Sequence, residues 1–160
     1  MGSRLAALAI ALLLPSLAGA ATLCRLATAG GIVFGNYDVL ATAPLDTLLS
    51  VDVACDRNGG PGSVTVSVGL GAGANGTSVN NRRMLHLGGS GDLLAYALYR
   101  DVARTSIWGF SNGMDTVART LTVPNNGSAS ATFTIYGRMP AQQDVTVGPY
   151  RDSVQITVTP

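Results

Sequence analysis

Few side chains in this sequence could do chemistry, and they are widely spaced. His86, the single histidine, lies in Met84-Leu85-His86-Leu87, a run of strand composition in which a lone imidazole packs or faces solvent. A nucleophilic triad or a metal centre needs partners at short range, and none is spaced to supply them, for Ser106 or for any other hydroxyl. Asp101 and Arg104 could be drawn as acid and base, but their spacing reads as a turn closed by an ion pair, which at a surface contributes about 0–1 kcal/mol. Gly69-Leu70-Gly71-Ala72-Gly73 follows a strand pattern as a phosphate loop does, yet no helical pattern succeeds it. The aspartates are scattered, with no calcium-loop spacing. Asn75-Gly76-Thr77 and Asn126-Gly127-Ser128 fit the glycan-acceptor pattern and equally suit plain turns. The expectation is a protein that is not an enzyme, with no catalytic, cofactor-binding or metal-binding residue.

Composition points the same way. The chain has 160 residues, 47% hydrophobic and 12% charged, with 20 glycines and 7 prolines. Every basic residue is arginine and every acidic residue aspartate. Lysine and glutamate, the usual exposed residues of helices, are absent, which disfavours a helical bundle. A net charge of +1 with no basic stripe excludes a nucleic-acid surface.

Residues 1–20 read as a secretory signal. Arg4 supplies the positive start, Leu5 to Leu14 is an unbroken apolar run, and Ala18-Gly19-Ala20 offers small residues at a cleavage site. The run is about half the roughly 20 residues that span a bilayer, so contact with the membrane is expected only through this signal during export. Residues 21–160 then form the mature domain, in which nine arginines balance nine aspartates. Such neutrality gives little protection against self-association. Export into an oxidising compartment makes a disulfide the expected state of Cys24 and Cys55. Closing that loop stabilises the fold by roughly 3.7 kcal/mol in the chain-entropy view.

The mature region is built of short alternating runs separated by turn residues. Ser50–Cys55, Ser63–Val68, Met84–Leu87, Leu94–Tyr99, Val117–Val123, Ala131–Tyr136 and Ser153–Thr159 all read as strands. Ile32-Val33-Phe34 is expected to add a shorter one, and Leu40 to Leu49 an irregular turn broken by Pro44. Seven or more short strands with regular turns define an all-β domain, a sandwich in preference to a closed barrel.

Two apolar groups remain. Val154, Ile156 and Val158 share one face of the last strand, which is expected to be left at an edge, since no residue follows it that could cover that edge. Arg151 and Asp152, flanking Tyr150, are placed to fix its start. Ile107, Trp108 and Phe110 form either a packed cluster, with Trp108 in the core, or an exposed adhesive loop.

Phe34-Gly35-Asn36-Tyr37-Asp38 resembles an element near the start of the spore coat protein U (SCPU) domain family. Tyr96-Ala97-Leu98-Tyr99-Arg100-Asp101, Ala103-Arg104-Thr105 and Trp108-Gly109 resemble its central block. Tyr136 to Gln142 and Gly148 to Val154 are similar to its carboxy-terminal signature. The resemblance spans Cys24 to Val158 and implies an immunoglobulin-like, pilin-type sandwich lacking its last strand. It also implies periplasmic and surface localisation, in a spore coat or in an archaic chaperone–usher pilus. The partners implied are a periplasmic chaperone, an usher and neighbouring subunits, with strand addition as the mode of assembly. Pilus-shaft members carry a donor segment before the first cysteine. Here Ala21-Thr22-Leu23 reach about 10 Å at 3.3 Å per residue, which leads to the expectation of a tip or terminating subunit that accepts a strand without donating one. The alternatives are a coat protein that self-associates and a carbohydrate- or surface-binding adhesin module.

Overall fold

The structure is a computed structural model that describes residues 21–28 and 30–160. The signal assigned to residues 1–20 lies outside the described residues. In these there are nine strands: β1 (Thr22–Thr28), β2 (Leu45–Arg57), β3 (Gly62–Leu70), β4 (Arg82–His86), β5 (Leu93–Tyr99), β6 (Val117–Val123), β7 (Ser128–Met139), β8 (Tyr150–Arg151) and β9 (Ile156–Thr159). They form two antiparallel sheets, one of six strands in the order β1-β2-β7-β5-β4-β8 and one of three in the order β6-β3-β9. The expected all-β sandwich is what forms, and its two separate sheets exclude the barrel.

The longest ladder joins β2 to β7, from Leu45 opposite Met139 to Asp56 opposite Ser128. Strict period-two patterning drives it, because Val51, Val53 and Cys55 on β2 and Phe133, Ile135 and Met139 on β7 all point into the core. Leu45 and Leu49 continue the same inward face while Leu48 stays exposed. The stretch read as an irregular turn is therefore strand from Leu45 onward, since Pro44 precedes the ladder and costs it no hydrogen bond. Cys24, Cys55 and Ala129 stand in one row across β1, β2 and β7. Cys24 and Cys55 are bonded to each other.

Two further expectations are corrected. Ile32-Val33-Phe34 forms no strand, although Phe34 is buried and Ile32 packs on the core. The last strand begins at Ile156 rather than Ser153, because β8 belongs to the six-stranded sheet and β9 to the other, and residues 152–155 cross between them.

A buried cation closes one end of the sandwich. Arg82 is fully buried, sharing the inward face of β4 with Met84 and His86. Its guanidinium donates to the carbonyls of Gly71 (2.8 Å), Val79 (3.1 Å), Leu70 (2.9 Å) and Trp108 (2.7 Å). Burial lowers its pKa from the usual arginine value. Replacing Arg82 with Leu strands these carbonyls without a donor, and should cost more than about 3 kcal/mol at roughly 1–3 kcal/mol per buried unsatisfied group. Arg82→Lys should recover only a fraction, because one ammonium cannot reproduce the planar fork. Urea unfolding of the three proteins measures both effects.

Candidate functional site

A groove of 1210 Å³ opens between the sheets. Its floor is core: Leu70 from β3, Leu94, Tyr96 and Leu98 from β5, Ile135 and Met139 from β7. One side is the segment 30–39 and the other is 145–154 together with Ile156. Neither side segment is regular strand apart from the two residues of β8, so side chains hold them in place.

On the first side, Phe34 meets Tyr96 edge-on at 5.9 Å between ring centroids. Gly137 admits it, since a Cβ there would lie 2.8 Å from the Phe34 ring and 2.7 Å from Ile32 Cδ1. The Thr47 hydroxyl donates to Val33 O at 2.8 Å. Tyr37 Oη donates to Pro140 O at 2.7 Å and accepts from Gln143 N–H at 2.8 Å, tying this side to the loop that leads into the other. The Gln143 carboxamide bonds both Ala95 N–H and Ala95 C=O, at 2.7 and 3.0 Å, and so continues along β5 the ladder that β7 leaves at Met139.

The lone histidine belongs to the second side. His86 is buried, tilts against Tyr150 at 5.0 Å, and bonds Ser90 Oγ at 2.8 Å and Val147 O at 3.3 Å. The bond to Val147 O tethers segment 145–150, and among the described residues no cluster of metal-ligating side chains includes it. Asp152 lies where the chain leaves β8. Its carboxylate accepts from Ala74 N–H, from the main chain and side chain of Asn75, and from Tyr96 Oη at 2.6 Å. The glycine-rich stretch after β3 therefore receives a carboxylate. Burial and the bond to Asp152 raise the pKa of Tyr96 far above the usual phenol value, so its hydroxyl stays a donor.

The proposed groove residues divide. Val154 and Ile156 line the groove, whereas Val158 packs on the core outside that lining. The adhesive-loop reading of Trp108 is corrected: it is 1% exposed, because its indole N–H donates to Val68 O at 2.8 Å and its backbone N–H to Leu98 O at 2.8 Å. Ile107 is half-buried and Phe110 is 62% exposed. Asp101 and Arg104 do form a turn, closed by Arg104 N–H to Asp101 O at 3.0 Å, but they are not an ion pair. The Asp101 carboxylate instead caps the amides of Thr105 and Ser106, and Arg104 pairs with Asp46 at 3.3 Å. Sequence reasoning missed Asp46, Arg82 and Gln143. Only Arg82 had a legible signal, its alternation with Met84 and His86.

Two antiparallel sheets with a groove beside the C-terminal strand define an immunoglobulin-like β-sandwich of the pilin type. The fold aligns with a chain in the crystal structure of the CsuC–CsuE chaperone–tip adhesion subunit pre-assembly complex from archaic chaperone–usher Csu pili of Acinetobacter baumannii. That alignment has a TM-score of 0.56 and 17% identity, and covers 86% of this chain and 39% of that one. Residues 10–157 match the Spore Coat Protein U domain. Over 146 residues the sequence is 31% identical to Protein U of Myxococcus xanthus, covering 88% of this chain and 78% of that protein. The chain belongs to the Spore Coat Protein U domain family.

Asp46 gives the site's surroundings a pH dependence. Arg138 grips it with two bonds of 2.7 and 2.8 Å, and that bonding, helped by Arg104, holds its pKa below the usual carboxylate value. A depressed folded pKa contributes stability above the unfolded carboxylate pKa, and this is lost as pH falls through the folded value. The pair is a third exposed, so the contribution stays within about 1 kcal/mol. Asp46→Asn should be less stable than the parent at neutral pH and converge on it below about pH 4, as read from urea midpoints across the acid range.

Proposed function

We propose that this protein is an exported structural subunit of a bacterial surface fibre, and that its groove accepts a β-strand from another chain. The observation that carries this reading is the free edge of β9. Among the described residues that strand pairs with β3 alone, and beside it lies an open groove floored by core residues. A strand laid in the groove with apolar residues at alternate positions pairs with β9 and covers Leu70, Leu94 and Ile135 together. Family membership supports the structural role.

In this reading the chain is exported through its signal at 1–20, and the domain 21–160 folds in the periplasm. A periplasmic chaperone and an usher handle it before a neighbouring subunit supplies the strand at the cell surface. Nucleic acid has no part. With cleavage after Ala20, the short segment before Cys24 makes the subunit an acceptor rather than a donor, as a tip or terminal position requires.

A second reading, adhesion, is favoured by one observation. Val102, Phe110 and Met114 are 70%, 62% and 77% exposed on two turns that Arg100 ties together by donating to Met114 O at 3.0 Å. Asp101 and Asp115 cap those turns, so the apolar tips are held rather than loose.

Periplasmic expression with and without a pilus chaperone tests the first reading. A 1:1 complex is expected, from which a synthetic peptide of alternating valine and threonine displaces the chaperone. A monomer that folds alone and ignores both would remove strand acceptance, and a homo-oligomer would assign the coat role. For adhesion, the double variant Phe110→Ser, Met114→Ser should assemble normally and lose retention on polystyrene about tenfold, the loss of roughly 1.4 kcal/mol of apolar contact. Unchanged retention removes that role.

A further inference from the structure

We infer that Asp152 is a positioning residue that sets the register of β9, and with it the place where an incoming strand must start. The functional half of this inference rests on the strand-acceptor reading; the structural half does not. The ladder between β9 and β3 is four pairs long, from Ser67 opposite Thr159 to Leu70 opposite Ile156. Apolar alternation cannot fix such a ladder by itself. A slip of one residue turns Ile156 and Val158 outward and is disfavoured. A slip of two residues puts Val154 where Ile156 was and Ile156 where Val158 was, and preserves the pattern. Something outside the alternation has to forbid it.

Asp152 is fixed on three sides. One carboxylate oxygen accepts from Ala74 N–H at 2.9 Å, Asn75 N–H at 3.2 Å and Asn75 Nδ2 at 3.0 Å, in the turn that follows β3. The other accepts from Tyr96 Oη at 2.6 Å, and Tyr96 stands on β5 in the opposite sheet. Gly73 has φ +88 and leaves no room for a Cβ beside that carboxylate, so the turn is shaped around it. Three residues separate Asp152 from Ile156, and one of them, Gln155, accepts from Gly71 N–H at 2.9 Å through its carbonyl oxygen. A two-residue slip would have to tear the carboxylate from all four donors. Asp152 also lines the groove. It therefore anchors β9 to both sheets at the mouth of the groove, so that the acceptor edge is set before a strand arrives.

The test uses the subunit as purified, alone or with its chaperone, and compares the parent with Asp152→Ala and Tyr96→Phe. The second variant removes only one hydroxyl, so it reports even if the first does not fold. Hydrogen exchange at Gly71 and at Ile156 to Thr159 should accelerate about tenfold or more in both variants while the β2–β7 ladder keeps its protection. Capture of the alternating valine–threonine peptide should slow by about tenfold, the cost of ordering the edge at binding. Asp152→Asn, which keeps the acceptor for Ala74 and Asn75, should restore most of the protection. Unchanged exchange around β9 in both variants overturns the inference, as does acceleration spread evenly over every ladder in Tyr96→Phe. If β9 loosens as expected but the parent never captures peptide, the register role stands and the strand-acceptor reading falls.

Discussion

Six strands have to be covered by three. The inner face of the larger sheet is apolar along β2, β7 and β5, and the smaller sheet ends at β9. Because apolar area left in water opposes folding at about 25 cal/mol per Å², the uncovered remainder is the constraint that the other features answer. The segment 30–39 lays Phe34 and Ile32 against it, and segment 145–150 comes in from the other side. What is left between them is the groove. The site is thus a deficit of strands rather than a constellation of reactive groups.

Polar contacts do the work that ladders do elsewhere. The two side segments lack strand partners for most of their length, so their position depends on Tyr37, Gln143, His86 and Asp152. Each reaches across the chain to backbone or side-chain groups. Arg82 does the same for the carbonyls at the end of β3 and beside Trp108. Such bonds are strong when every group is satisfied, and among the described residues no buried side-chain N or O lacks a partner. A groove walled by satisfied polar latches can stay open without collapsing onto its own floor.

Period-two runs were legible wherever a strand was flanked by turns. The Val117–Val123 run matches β6 to the residue, and the Ser63 and Leu94 runs match β3 and β5 to within two residues. Leu45–Leu49 was obscured by adjacent leucines and by Pro44, although Leu45, Thr47 and Leu49 keep the alternation of Val51 and Val53. β1 and β8 carry little patterning of their own and exist because β2 and β4 offer them edges. Trp108 could be read as core or as loop from composition, and only the bond to Val68 O decides it. The partners of Asp46 and Gln143 lie tens of residues away, a separation no local pattern encodes. The resemblance located the family, but it could not say that Asp152 faces Tyr96.

The Cys24–Cys55 bond has a mechanical meaning. Segment 30–39 lies wholly inside the covalent ring that this bond closes. Tension applied between the two ends of the chain passes through the sulfur bridge and bypasses the ring. That side of the groove therefore lies off the covalent line of force when the molecule is pulled, while β9, outside the ring, lies in it.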